Sequence, residues 1–380
     1  MLKLPALIAR TQAARLAAAD PLAAAHLAVD EVVLLARARE AAAARALLQA
    51  LRATGVTSQH AALALRADTA ECLVRYYTDD WAGLADRFTE LLEQARRPGE
   101  SDVLAEVAEH SALCGHVLLV PPAQGLERAR LAWSLARPGT EPHLRAAFAV
   151  ALACGALNRF ADAVAWGEHA LVCASQLQDE ALQSSIMQAL VVPKASAARL
   201  ADLRNQLDPA RLTEALRLLQ GVLGLTQPPA APLCIVLADL LNVAGRRAEA
   251  LDALDEALPR LDPGYAHLRL LGEANRALAQ AGLGQHETAR VGAEALMHMT
   301  GRNWPSFIEA VVVHIGERIF TLTGDTARAA DFNQVAALAV ARHVGEVARH
   351  QRDLGELAAF IAAGPHAAAQ RPPAAELQGR

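Results

Sequence analysis

The densest group of residues able to do chemistry is His110, Cys114 and His116 in AEHSALCGHV. His110 and Cys114 stand four apart and can meet on one helical face, a spacing that suits zinc ligands. His116 points elsewhere, and no carboxylate-rich partner lies nearby. A packed helix with a half-buried histidine is the expectation, with no metal and no cofactor. His314 with Glu317 and His343 with Glu346 place imidazole and carboxylate one turn apart, which reads as surface pairing. Asp79 and Asp80 could form an acid–base pair, yet they open a helix, where acids meet the positive end of its dipole. AGLGQHE (281–287) has two glycines but follows a helix rather than a strand, and no phosphate loop or G-x-S-x-G elbow occurs. No catalytic residue is assigned, and the chain is not expected to be an enzyme. A metalloprotein or enzyme built on the His110 region stays as the third alternative.

These side chains sit in a composition that favours helices. The chain has 380 residues, 53% apolar but only 4% aromatic, and it is rich in alanine and poor in β-branched residues. Charged residues make up 20% and the net charge is −5, too mild and mixed for a dedicated nucleic-acid surface. Basic residues are arginines except Lys3 and Lys194, a bias that GC-rich codons also produce. Cys72, Cys114, Cys154, Cys173 and Cys234 are scattered without a C-x-x-C pair, so they read as reduced, buried hydrophobes. Arg10 and Arg15 interrupt the apolar start, so no secretory segment is expected. The longest uncharged run, 218–238, contains Pro228, Pro229 and Pro232 and cannot span a membrane. A cytoplasmic protein without membrane contact is expected.

Apolar residues recur three and four apart between regularly placed breakers, the period of helices with one buried face. RPGESD, RPGTEP, TQPPAAP, RLDPGY and TGRNWP mark seams between helical hairpins. Aligned second helices, RFADAVAWGEHAL, RRAEALDALDEAL, QHETARVGAEALM and DTARAADFNQVAA, share a turn residue (Asn158, Gly245, Gly284, Gly324) followed five positions later by Ala163, Ala250, Ala289 or Ala329. Seven further on come Ala170, Ala257, Leu296 and Ala336. Small side chains let two helices of a hairpin cross closely. Weaker copies centre on Ala43, Leu84, Ala129 (with Ala136) and Ala215, giving anchors 34 to 52 residues apart. Pro193 is expected to end a helix in the widest interval, where a short extra helix would follow.

This pattern resembles the second half of a tetratricopeptide repeat (TPR), whose standard length is about 34 residues. The resemblance covers most of 20–345 and departs from the family at the first-helix Gly and aromatic positions. It implies an all-α fold, a right-handed α-α superhelix (TPR-like solenoid) of about eight hairpins. Residues 1–19 would form an N-terminal helix or cap, 20–345 the solenoid, 346–363 a closing helix and 364–380 a disordered tail. In TPR proteins the first helix of each hairpin lines the concave face. That projection selects Arg66, Tyr76, Arg145, Asp239, Asn242, Asn275, Arg276, His314 and Arg318 as partner-binding positions. They lack the Lys and Asn pairing of TPR clamps for C-terminal carboxylates. The expected function is a non-catalytic scaffold or adaptor recognising a protein or peptide segment. The alternative is a ligand- or peptide-responsive sensory module of a bacterial signalling or transcription system. No direct nucleic-acid contact is expected, and a homodimer through the apolar first hairpin is left open.

Overall fold

The computed structural model describes residues 4–96, 101–118, 120–225, 229–262, 265–297 and 304–368, and among them there are helices and turns but no β-strand. Helix α1 (Leu4–Ala17) precedes the hairpin α2 (Pro21–Arg37) with α3 (Ala41–Ala53). The short α4 (Val56–Gln59) leads to α5 (Ala61–Tyr77) with α6 (Leu84–Ala95). Then come α7 (Ser101–Val117) with α8 (Pro122–Leu135), α9 (Glu141–Ala156) with α10 (Phe160–Leu177), and α11 (Glu180–Leu203) with α12 (Pro209–Leu223). The series continues as α13 (Ala231–Val243) with α14 (Arg247–Ala257), α15 (Ala266–Gly282) with α16 (His286–Met297), and α17 (Ser306–Thr323) with α18 (Thr326–Arg352). Helix α19 (Glu356–Ala368) follows. The all-α class is as the sequence indicates.

One turn design explains why the hairpins recur. Arg39, Asp79, Asn158, Asn205, Gly245, Gly284 and Gly324 all take left-handed φ values of 56° to 82° between a first and a second helix. The next amide then bonds a carbonyl five residues back, closing the helix end in a Schellman arrangement. Those carbonyls belong to Leu35, Arg75, Cys154, Ala201, Leu241, Gln280 and Phe320, and Val120 N–H to Gly115 supplies the same bond in the third hairpin. Successive acceptors are 40, 40, 39, 47, 40, 39 and 40 residues apart. The repeat is therefore near 40 residues, longer than the 34 of a standard TPR. The irregular 34-to-52 spacing came from anchoring on alanines in an alanine-rich chain.

Nine residues past the acceptor, Ala44, Leu84, Ala163, Ala250 and Ala289 are all fully buried. The first anchor is thus Ala44 and not Ala43, which is exposed. Pro193 lies inside α11, which continues through it, so no separate short helix forms there.

Two compact units divide the chain, one running to Ile186 and joined by residues from Asp353 on, the other covering Met187–Arg352. In the first, α2 packs on α5, α5 on α7 and α7 on α9; in the second, α13 packs on α15 and α15 on α17. A first helix thus touches the next first helix as well as its own partner, as stacked helical repeats require. Asp20 caps α2 by accepting from the Leu22 and Ala23 amides at 3.2 and 3.1 Å, with Pro21 opening the helix. Helix α19 packs on α8 and α10 in the first unit; Trp166, fully buried, donates to the Ile361 carbonyl at 3.3 Å and lies 5.1 Å from the Phe360 ring. Of the tail expected from Gly364, residues 369–380 lie outside the described residues. Among the described residues no helix is long and apolar enough to cross a membrane.

Candidate functional site

The 40-residue register carries charge as well as shape. In the first unit His26, Arg66, Glu106 and Arg145 each stand nine residues before the acceptor carbonyl of their hairpin, on α2, α5, α7 and α9. Arg66 meets both neighbours, at 2.7 Å from His26 Nδ1 and 2.6 Å from Glu106, and also binds Asp30 at 2.7 Å. Burial alone would lower the Arg66 pKa, but Glu106 and Asp30 hold it above the usual value. Glu106 is pushed up by its burial, against the pull of Arg66.

Arg145 is buried and bonds Glu109 at 3.1 Å, His110 at 3.2 Å, and Glu141 of its own helix. Glu109 is inaccessible, and burial raises its pKa to about 8 despite the Arg145 contact. Burial and then the Arg145 charge drive the His110 pKa down. His110 is thereby committed to this network, and buried Cys114 has its thiol pKa raised by burial. Arg37 of α2 reaches Asp179 at 3.1 Å and Glu141 at 3.6 Å, three hairpins on. Tyr76 packs edge-on against Tyr77 at 5.2 Å, and its carbonyl accepts from the Trp81 indole at 3.1 Å.

In the second unit the shared register lies two residues before the acceptor, where Arg199, Asp239 and Arg318 stand on α11, α13 and α17. Arg199, with a side chain only 2% exposed, donates to Asp239 at 3.0 Å and also pairs with Asp202. Asp202 in turn receives Arg318 at 3.3 Å and faces His314 at 3.8 Å, so one carboxylate of α11 is shared with two residues of α17. His314 is lowered to about 4, chiefly by burial and then by the Arg199 and Arg318 charges. Asn242 donates to both the carbonyl and the side-chain oxygen of Asn275, at 2.8 and 2.9 Å, and Arg247 closes on Asn242. Arg276 stands apart, paired with Asp255 at 2.9 Å and Glu273 at 3.6 Å.

The sequence projection therefore falls into two kinds of position. Arg145, Asp239, Asn242 and Asn275 are buried and hold neighbouring first helices together. Arg66, Tyr76, Arg276, His314 and Arg318 are partly exposed. His26, Glu106, Arg199 and Asp202 were missed; a 40-residue recurrence of polar residues in apolar helices is the signal that would have found them. A dent of about 220 Å³ opens between α3 and α5, lined by Arg45, Arg52 and Arg75 with Leu48, Gln49, Glu71 and Val74. Its basic rim is tied up in part, since Arg52 bonds Asp68 and Glu71. All five cysteines are free and buried. The converging group of metal-ligating atoms among the described residues is not at His110 but at His143, His169 and Cys173.

The succession of hairpins makes this chain a helical-repeat protein. Among solved structures it is similar to one described as the crystal structure of a Rap protein complexed with competence and sporulation factor. The match covers 89% of this chain and 98% of that one, at 14% sequence identity and a TM-score of 0.48. No protein-family profile matches the chain, and neither does any curated protein.

Proposed function

We propose that the chain is a non-catalytic, TPR-like module that binds a protein or peptide segment along its first helices. The carrying observation is the charged register itself: buried or partly buried ion pairs tie α2 to α5, α5 to α7, α7 to α9 and α11 to α13, while Arg66, Arg276, His314 and Arg318 keep part of their surface open. Burying so many charges costs more than packing apolar residues in their place, so their use as a preorganised recognition surface accounts for them better than stability does. In this reading Arg145, Asp239, Asn242 and Asn275 position, and the partly exposed Arg66, Arg276 and Arg318, with His314 and Tyr76, touch the partner. A cytoplasmic setting suits the reduced cysteines.

The tie between Asp202 and Arg318 supports a second reading, the sensory one. An acidic group of a bound segment competes with Asp202 for Arg318, and loosening that tie would release the side-chain link between α11 and α17.

Photo-crosslinking amino acids at positions 276 and 318, on first helices, and at 291 and 338, on second helices, test the proposal in native lysate. It expects one partner segment linked from 276 and 318 and absent from 291 and 338. Crosslinks confined to the second helices, or none from any position, would overturn it.

A further inference from the structure

A separate group of side chains, outside the charged registers, has the composition of a metal site. Hairpin α9/α10 brings His143 of α9 against His169 and Cys173, which stand one turn apart on α10. One ligand atom from each lies within 4.8 Å of the others. Cys173 Sγ is 3.6 Å from His169 Nε2. A tetrahedral zinc ion with Zn–N near 2.0–2.1 Å and Zn–S near 2.3 Å sets its nitrogen and sulfur ligands about 3.6 Å apart, so this edge already has the length of a coordinated pair.

His143 supplies an independent observation. Its side chain is buried and its ring is stacked 3.7 Å from Trp133, yet its Nδ1 has no hydrogen-bond partner. Trp133 also lies edge-on to Trp166 at 5.0 Å and to His169 at 5.5 Å, so aromatic rings wall the group and restrict the imidazoles. Exposed His366 of α19 has its ring 5.5 Å from that of His169.

We propose that His143, His169 and Cys173 bind one zinc-class divalent cation, with His366 as the fourth ligand. On binding, the Cys173 thiol gives its proton to solvent and the thiolate sulfur bonds the metal, while the three imidazoles each donate a ring-nitrogen lone pair; no redox step is involved. The ion would fasten α19 to α10, adding a coordinate bond to the Trp166–Ile361 contact.

The test is cobalt titration of the full chain after chelator treatment, followed by zinc competition. The site expects one equivalent of cobalt, the strong visible bands of tetrahedral coordination and a near-ultraviolet thiolate-to-cobalt band, all abolished by one equivalent of zinc. Cys173→Ser, a near-isosteric change, removes the thiolate band and weakens zinc binding at least tenfold, and His169→Gln weakens it similarly. His366→Ala lowers the intensity of the visible bands and leaves the thiolate band in place. Zinc raises the melting temperature of the wild type but not of Cys173→Ser. No cobalt spectrum in the wild type, or a thiolate band that persists in Cys173→Ser, overturns the proposal.

Discussion

Gly316 tests the rule that small residues allow these helices to approach. It lies in the middle of α17, and a Cβ built there would sit 2.5 Å from Phe332 Cε1 and 2.6 Å from its Cδ1 on α18. In an unobstructed helix interior, Gly→Ala stabilises by about 0.8–1 kcal/mol. At Gly316 either the overlap persists, or the Phe332 ring swings away and gives up its packing on Phe320, 5.0 Å distant. Overpacking of this kind costs about 1–3 kcal/mol, which offsets or exceeds the propensity gain, so Gly316→Ala is expected to be destabilising by about 0–2 kcal/mol net. Gly345 of α18 is the control: it is exposed, with nothing within 4 Å of its would-be Cβ, so Gly345→Ala should stabilise by roughly 0.5–1 kcal/mol. Urea unfolding followed by helical circular dichroism reads both changes as opposite shifts of the midpoint at constant slope. A Gly316→Ala variant as stable as Gly345→Ala would refute the close-approach reasoning.

Three further outcomes follow from the charged register and the caps. Asp202→Asn removes the carboxylate shared by Arg199, Arg318 and His314 and leaves buried Arg199 with Asp239 alone, so a loss of about 2–4 kcal/mol is expected in urea unfolding; a shift below about 0.5 kcal/mol would contradict the shared role. His314 is held neutral by a pKa near 4, against about 6.5 when unfolded, so its contribution is present above pH 6.5 and fades as pH falls toward 4. The stability gap between wild type and His314→Gln should therefore shrink by about 2 kcal/mol from pH 7 to pH 5, and a gap independent of pH speaks against the buried neutral ring. Asp20→Ala removes the acceptor for two first-turn amides of α2 and should cost about 1 kcal/mol in thermal unfolding, while Asp20→Ser should retain most of it.

Helix periodicity and the turn residues Asn158, Gly245, Gly284 and Gly324 were readable in the sequence because backbone handedness restricts which side chains tolerate the left-handed position. Arg39 and Asp79 adopt the same conformation without announcing it, so the first two hairpins had no visible turn mark, and in the first of them the anchor slipped from Ala44 to Ala43. In an alanine-rich chain a small residue is weak punctuation, which hid the 40-residue period. Pro193 misled because a proline ordinarily breaks a helix, whereas α11 runs through it. The candidate partner-binding positions came from projecting the first helices, but which of those side chains are consumed by neighbours depends on pairs such as Asn242 with Asn275, 33 residues apart. His169 and Cys173 have the same i, i+4 spacing as His110 and Cys114. Only the hairpin shows that the first pair meets another imidazole, His143, while His110 meets Arg145.

The central claim is that the first helices carry the recognition surface. Isothermal titration of the crosslinked segment, made as a synthetic peptide, against wild type, Arg318→Met and Leu338→Ser measures it most directly. Arg318→Met should bind at least tenfold more weakly, about 1.4 kcal/mol, while Leu338→Ser, on the exposed side of α18, should bind as the wild type does. Undiminished binding by Arg318→Met together with a loss in Leu338→Ser would contradict the account.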